Sequence, residues 1–124
     1  MSFDWADYLK VAQELAGQCG IADRRDAKLR SSISRAYYAV FCLARRYLTT
    51  RESATIPAGG EAHEVVERKF RLVNPSVAEN IKRLRIARNR ADYNDEVPGL
   101  ENACALSLSR AECAVNRIRL LLGP

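Results

Sequence analysis

The chain has 124 residues, 48% of them hydrophobic and 28% charged, and its 20 Lys and Arg exceed its 15 Asp and Glu to give a net charge of +5. A chain of this length can bury about two thirds of the surface of its unfolded state, so we expect one domain over residues 1–124 that needs no disulfide or metal to fold. No stretch approaches the roughly 20 apolar residues of a membrane span and no signal peptide pattern opens the chain, so we expect a cytoplasmic protein with no membrane partner.

The cysteines do not form a recognisable ligand set. Cys19, Cys42, Cys104 and Cys113 lie far apart with no Cys-x-x-Cys pair, and His63 is the only imidazole in the chain. Neither a zinc site nor a thioredoxin-type motif fits this spacing. We therefore expect four small buried thiols, with no metal and no other cofactor.

The first two helices follow from apolar residues that recur at steps of three and four. The first helix begins near Asp4 and Asp7, which resemble an N-terminal capping pattern, and it ends at the breakers Gly17 and Gly20. The second, from Asp23 to about Thr49, is the longest, at about 39 Å for 1.5 Å per residue. Its core-facing stripe consists of Leu29, Ile33, Ala36, Val40, Leu43 and Tyr47.

A second stripe of the long helix carries polar groups. It consists of Arg35, Tyr38, Cys42 and Arg45, which also advance by three and four. Because two guanidiniums and a phenol then share one face beside the core stripe, we expect functional groups to lie on this face.

The middle of the chain predicts a loop and two more helices. Thr50–Gly60 mixes Ser, Thr, Pro and paired Gly without apolar periodicity, which is typical of a surface loop. A short third helix follows from His63 and stops at Asn74 and Pro75. Ser76 with Glu79 three residues later matches a capping box that opens a fourth helix.

The C-terminal segment predicts a fifth helix. Its apolar stripe runs from Leu100 to Leu122 and ends at Gly123 and Pro124. No segment alternates in the manner of a strand. The sequence therefore predicts an all-α fold, an up-and-down helical bundle of four main helices plus one short helix.

Basic residues concentrate on the fourth helix. Five cations fall within nine residues, namely Lys82, Arg83, Arg85, Arg88 and Arg90. Such clustering favours an anionic partner such as nucleic acid, whereas the alternative is a solvated face that serves solubility. Charge alone does not separate these two interpretations.

Arg88 is the main candidate for a site residue. It occupies the stripe of Ile81, Leu84 and Ala91, where the periodicity predicts an apolar side chain. A cation at such a position must be paired, or must face a cleft or a partner chain. Asp92, one turn later, can form a structural ion pair with Arg88, and spacing alone slightly favours that role.

Other side chains of the fourth helix extend this candidate site. Arg85 lies one turn before Arg88, and two guanidinium forks suit the recognition of phosphate oxygens. Asn89 and Tyr93 lie on an adjoining face and would complete a polar pocket with Arg88. His63, at the head of the third helix, is interpreted as a capping or boundary residue because no nucleophile motif accompanies it.

Two motifs together resemble the HEPN superfamily of small helical proteins. The first is Arg30–Leu48, with the sequence RSSISRAYYAVFCLARRYL, and the second is Arg85–Tyr93, with the sequence RIARNRADY. The similarity spans about residues 4–121. The resemblance implies a helical bundle that pairs as a homodimer, with the motif helices of both chains lining a shared cleft that takes RNA.

The resemblance also implies a catalytic motif, from which this chain departs. Many relatives are metal-independent ribonucleases, and their motif is an arginine, usually followed by a polar residue, with a histidine shortly after. Arg88 and Asn89 fit the opening, but the histidine would fall between Tyr93 and Asp95, where there is none. Tyr93 is the nearest substitute, and a phenol of pKa about 10 is a poor base at pH 7. We therefore expect a degenerate catalytic site at Arg88, Asn89 and Tyr93. The expected phosphate-binding residues are Arg35, Arg85, Arg88 and Arg90.

The leading hypothesis is an RNA-binding HEPN-like homodimer without full nuclease activity, forming half of a toxin and antitoxin pair with a nucleotidyltransferase. One alternative is an active metal-independent endoribonuclease toxin, in which Tyr93 or His63 supplies the missing chemistry. Another is a non-catalytic module for protein assembly, in which Arg88 and Asp92 form an internal ion pair.

Overall fold

The computed structural model describes residues 2–18 and 24–123, and all regular structure in them is helical. The helices are α1 (Asp7–Gly17), α2 (Arg25–Arg51), α3 (Glu61–Val73), α4 (Pro75–Tyr93) and α5 (Leu100–Leu122). The predicted all-α bundle is confirmed, although α1, with 11 residues, is shorter than α3, with 13. The predicted end of the first helix at Gly20 and start of the second at Asp23 lie outside the described residues.

Helix α2 lies at the centre of the bundle and packs against each of the other four helices. The predicted core stripe is buried from Leu29 to Leu43, and Tyr47 packs against the core from its edge. Tyr37 and Phe41 are buried as well, because α3 and α4 cover a second side of α2. Fully burying one large apolar side chain contributes about 1.5–3 kcal/mol, so the length of α2 buried on several sides accounts for much of the core.

Two arginines of α2 cap the C-termini of other helices. The Arg30 guanidinium donates to the carbonyl oxygens of Ala91 at 3.0 Å, Asn94 at 2.6 Å and Asp95 at 3.0 Å, at the end of α4. Arg51 donates to the carbonyl oxygen of Leu122 at 2.5 Å, at the end of α5. The last carbonyls of a helix lack partners within it, and cations suit that end of the helix dipole. These two arginines therefore have structural roles.

The N-terminus of α4 differs from the prediction. Asn74, not Ser76, is the N-cap, and its side chain accepts a hydrogen bond from the Val77 backbone N–H at 3.1 Å. Pro75 occupies the first helical position, which its fixed φ favours and where its missing N–H is not needed. Ser76 consequently lies within the first turn, and Glu79 pairs with Arg83 at 3.1 Å instead of closing a capping box.

The remaining features concern the cysteines, the end of α2, and membrane-spanning helices and metal ligands. Cys42 and Cys104 are buried as expected, but Cys113 is exposed on α5, and Cys19 lies outside the described residues. Helix α2 continues to Arg51, so the predicted loop is shorter at its start. In the described part of the chain, no helix has the length and hydropathy to cross a membrane, and no three His, Cys, Asp or Glu side chains group as metal ligands.

The new N-cap assignment predicts the effect of two alanine substitutions. Asn74→Ala removes the side-chain acceptor for a helix N–H and lowers the free energy of unfolding by about 0.5–2 kcal/mol. Ser76→Ala is the matched control and changes that free energy much less. Urea denaturation followed by circular dichroism measures both. A larger loss of unfolding free energy in Ser76→Ala than in Asn74→Ala would contradict Asn74 as the N-cap and favour the capping box.

Candidate functional site

Four rings form a compact cluster between α2 and α3. We call Tyr37, Tyr38, Phe41 and His63 the aromatic cluster. The His63 ring stacks on Phe41, with centroids 4.5 Å apart and planes 25° from parallel, and Tyr37 lies 5.7 Å from Phe41. The Tyr37 hydroxyl is 2.5 Å from His63 Nδ1. The i, i+4 spacing of Tyr37 and Phe41 places both rings on the side of α2 that meets the first turn of α3.

The protonation states of Tyr37 and His63 follow from their surroundings. Burial raises the pKa of Tyr37, although the charges of Arg88 and Arg85 oppose this change, so the hydroxyl keeps its proton at neutral pH. Burial, together with the charges of Arg88, Arg85 and Arg45, lowers the pKa of His63 below its usual value, so the imidazole is neutral. His63 is then an uncharged ring at a strongly cationic position.

The hydrogen bond between these two residues favours one tautomer of the histidine. The Tyr37 hydroxyl is fully buried and bonds only to Nδ1 of His63 among the described residues, so its proton is satisfied when it donates to Nδ1. A neutral imidazole carries one proton, which then lies on Nε2. In this arrangement Nε2 is a hydrogen-bond donor, and neither ring nitrogen has a free lone pair with which to accept a proton.

Arg88 reaches the same cluster from α4. Its guanidinium carbon lies 5.2 Å from the centroid of Tyr37 and 5.4 Å from that of Tyr38, so the cation rests on the faces of both rings. Only 7% of Arg88 is exposed. The burial that periodicity predicted for Arg88 is confirmed, and the two tyrosine rings contact its guanidinium.

The charge of Arg88 is only partly compensated. The expected ion pair with Asp92 exists, but Nη1 and Oδ2 are 3.9 Å apart, and the same carboxylate oxygen accepts a hydrogen bond from Ser34. The buried Nε of Arg88 has no hydrogen-bond partner within the described residues. Because a buried charge is costly unless it is paired and hydrogen-bonded, this guanidinium retains capacity for a further anion.

Two more arginines rest on aromatic faces in a groove between α1 and α2. Arg35 lies 5.0 Å from the ring centroid of Tyr8 and 5.2 Å from that of Tyr38. Arg45 lies 5.7 Å from Trp5 and 5.5 Å from Phe41. The groove has a volume of about 350 Å³ and contains the whole polar stripe predicted on α2. Tyr38 and Phe41 also belong to the aromatic cluster, so the groove and the cluster are continuous.

The remaining predicted site residues divide into two groups. Arg85 is near the cluster, since its charge acts on both Tyr37 and His63, and its guanidinium forms an ion pair with Glu67 at 3.3 Å. The distance is that of an ion pair, although the Glu67 oxygen accepts no well-aligned hydrogen bond. Arg90 is exposed on the side of α4 that faces α5, where it lines a different groove. Of the four predicted phosphate-binding residues, the structure therefore brings together Arg35, Arg85 and Arg88.

The predicted pocket of Arg88, Asn89 and Tyr93 is not formed. Tyr93 is 74% exposed at the end of α4, and in the described residues neither it nor Asn89 makes a hydrogen bond or ring contact with Arg88. A separation of five positions turns a side chain about 140° round a helix, which is too far to share a pocket with a buried residue.

His63 is the functional candidate whose role the sequence interpretation missed. It does lie in the first turn of α3, as expected, but its ring belongs to the aromatic cluster and caps no helix. The available signal was the pair of aromatic residues at i, i+4 on α2, which presents two neighbouring ring faces to a third ring. Periodicity within α3 gives no information about that contact.

The hydrogen bond from Tyr37 predicts a measurable change in the pKa of His63. Tyr37→Phe removes a donor that stabilises the neutral ring, so the pKa of His63 rises. The single histidine of the chain gives one Hε1 signal whose chemical shift follows pH by NMR. Tyr47→Phe, which alters a ring packed on Phe70, is the matched control and leaves that pKa unchanged. An unchanged pKa in Tyr37→Phe would contradict the hydrogen bond.

The lowered pKa of His63 also predicts a pH dependence of stability. The unfolded chain has an ordinary histidine pKa of about 6.5, so just below that pH it binds more protons than the folded chain. The contribution of neutral His63 is complete above about pH 6.5 and is lost as the pH falls through the folded pKa. Chemical denaturation between about pH 7 and 5 therefore shows a fall in unfolding free energy that His63→Gln reduces. An equal slope in both proteins would contradict this assignment.

No protein-family model, no curated protein sequence and no solved structure matches the chain.

Proposed function

We propose that this protein binds RNA in the groove between α1 and α2 that adjoins the aromatic cluster. The observation that carries the proposal is the placement of Arg35, Arg45 and Arg88. Each guanidinium lies over two aromatic rings: Arg35 and Arg88 share the Tyr38 ring, and Arg45 lies over Trp5 and Phe41 in the same groove. Guanidiniums bind phosphate oxygens, and aromatic faces and arginine planes stack on unpaired bases.

The dimensions and charges of the surface favour a single strand. A groove of about 350 Å³ has the size of a pocket for a base and not for a duplex, and Trp5, Tyr8 and Tyr38 supply faces for stacking. Arg88 adds a guanidinium that is short of anionic partners. The excess of five positive charges is consistent with a polyanion as the ligand.

The resemblance of Arg30–Leu48 and Arg85–Tyr93 to HEPN proteins supports the same proposal. It adds a homodimer in which both chains contribute motif helices, and a nucleotidyltransferase as partner in a toxin and antitoxin pair. These features depend on the resemblance alone. RNA binding depends on the rings and arginines described above and stands without them.

The protonation states favour binding over cleavage. A general base needs a free lone pair, and Nδ1 of His63 is engaged by the Tyr37 hydroxyl 2.5 Å away. Losing a positioned acid or base typically reduces a rate by about 10²–10⁴. With Tyr93 far round α4, we infer a degenerate ribonuclease site.

A metal-independent ribonuclease is the second candidate, and one observation favours it. His63 shares Tyr37 with Arg88, so a histidine from α3 lies near the motif arginine although none follows it in the chain. If the Tyr37 hydrogen bond opens, the neutral imidazole gains a lone pair at Nδ1. It can then accept a proton from a ribose 2′-hydroxyl.

Binding of fluorescent single-stranded RNA in EDTA tests the proposal. Affinity falls with salt, because bound phosphates release counterions, and Arg35→Ala or Arg45→Ala weakens binding and reduces the slope of log K against log salt by about 0.7. Arg117→Ala, which removes an exposed cation on α5, is the matched control and leaves the slope unchanged. Circular dichroism establishes that each variant is folded.

The same RNA reactions separate the other functions. Cleavage that leaves 2′,3′-cyclic phosphate ends and disappears in both Arg88→Lys and His63→Gln identifies the ribonuclease. An affinity that does not depend on salt, or that Arg35→Ala and Arg45→Ala leave unchanged, overturns the proposed interface. In that case loss of a dimer in Arg88→Ala, with nucleic-acid binding unchanged, would identify a protein assembly module with an internal cation.

A further inference from the structure

A second groove lies between α4 and α5, on the side of α4 opposite Arg88. Its volume is about 330 Å³. Residues 83 and 90 are about 140–160° from residue 88 around the helix, so this groove is separate from the aromatic cluster. The residues that matter for its chemistry are Arg83, Ile86, Arg90, Leu106, Ser107 and Arg110.

Positive charge lines both edges of this α4–α5 groove. Arg83 and Arg90 are seven residues apart on α4, about 10.5 Å at 1.5 Å per residue, and Arg110 faces them from α5. Arg83 donates to Glu79 at 3.1 Å. Among residues 2–18 and 24–123, Arg90 and Arg110 have no acidic partner and no hydrogen bond from their guanidiniums.

The floor of the groove is apolar and incompletely covered. Ile86 is 40% exposed and Leu106 is 43% exposed, although both are large aliphatic side chains between the arginines. Ser107 beneath them is 1% exposed, and its Oγ has no hydrogen-bond partner within the described residues. An apolar strip flanked by Arg90 and Arg110, which have no acidic partner among the described residues, and by Arg83 is what an amphipathic partner with acidic edges complements.

The lining also distinguishes this groove from the proposed RNA interface. It contains no aromatic side chain, so a base finds no ring on which to stack. Exposed aliphatic side chains are poor contacts for a phosphate backbone and good contacts for leucine or isoleucine. A protein helix therefore suits the α4–α5 groove better than a nucleic acid does.

We propose that the α4–α5 groove binds an acidic amphipathic helix of a partner protein. Two carboxylates spaced seven residues apart on that helix pair with Arg83 and Arg90, and a third on its other edge pairs with Arg110. Aliphatic side chains at the intervening i+3 and i+4 positions cover Ile86 and Leu106. This inference goes beyond RNA binding and does not depend on it.

Selection from a displayed library of helical peptides about 18 residues long tests the proposal. The library varies the positions of one helical face among acidic, basic and aliphatic residues, and the full chain is the bait. The expected result is enrichment of peptides with acids seven residues apart and aliphatic residues between them. Arg90→Glu and Arg110→Glu each weaken the selected peptides on the order of tenfold or more.

Arg117→Glu is the matched control, because it makes the same charge change on α5 two turns beyond Arg110 and outside the groove lining. Leu106→Ser tests the apolar floor and also weakens the selected peptides. All substituted positions are at the surface or in the open groove, and circular dichroism verifies the fold. Binding that Arg90→Glu and Arg110→Glu leave unchanged, or enrichment without acids, overturns the proposal.

Two further outcomes assign the groove to other occupants and also overturn the proposal. If Arg90→Glu weakens single-stranded RNA and no acidic peptide is enriched, the groove belongs to the RNA interface. If Leu106→Ser converts a dimer to a monomer in light scattering, a second copy of the chain covers the groove. Failure of the RNA proposal at Arg35 and Arg45 affects neither the selection nor its controls.

Discussion

A buried tyrosine hydroxyl needs a hydrogen-bond partner, and the centre of this bundle depends on how that need is met. Tyr37 is fully buried on α2, and an unpaired hydroxyl there would cost about 1–3 kcal/mol. The Tyr37 hydroxyl hydrogen-bonds to His63 of α3, and the guanidinium of Arg88 from α4 lies over the face of the Tyr37 ring. One side chain thus joins three helices. The positions of these polar groups are therefore set by the same packing that forms the core.

The arginines of this chain have two kinds of role, and amino-acid composition does not distinguish those that bond to backbone carbonyls from those that lie on aromatic rings. Arg30 and Arg51 donate to the carbonyls at helix ends, and Arg46 holds the carbonyl of Phe3. Arg35, Arg45 and Arg88 instead lie on ring faces with donors left over for a ligand. The net charge of +5 is therefore a poor measure of the surface available to an anion. The number of guanidiniums without an oxygen partner measures that surface better.

Local patterns in the sequence were sufficient for the helices and insufficient for the site. The stripe from Leu29 to Leu43 and both ends of α5 follow from periodicity and breakers, which act within a few residues. The contact between Tyr37 and His63 joins positions 26 residues apart through a loop, and periodicity carries no information on it. The misplaced cap at Ser76 had a different cause, because Asn74 and Ser76 are both good caps and only the backbone conformation at Asn74 decides between them. The predicted pocket of Tyr93 with Arg88 is not formed for a geometric reason, since residues close in sequence on a helix can lie on different sides of it.

The ion pair of Asp4 with Arg119 has a consequence for how the chain assembles. It joins residues 115 positions apart at 3.3 Å, where α1 and α5 come together. Both side chains are exposed, and such pairs contribute little to stability, so this contact cannot drive the meeting of the two segments. Closing so long a loop carries an entropic penalty that only earlier, shorter-range packing can offset. Helix α2 packs against both α1 and α5, so it brings Asp4 and Arg119 together, and their ion pair is a result of that packing.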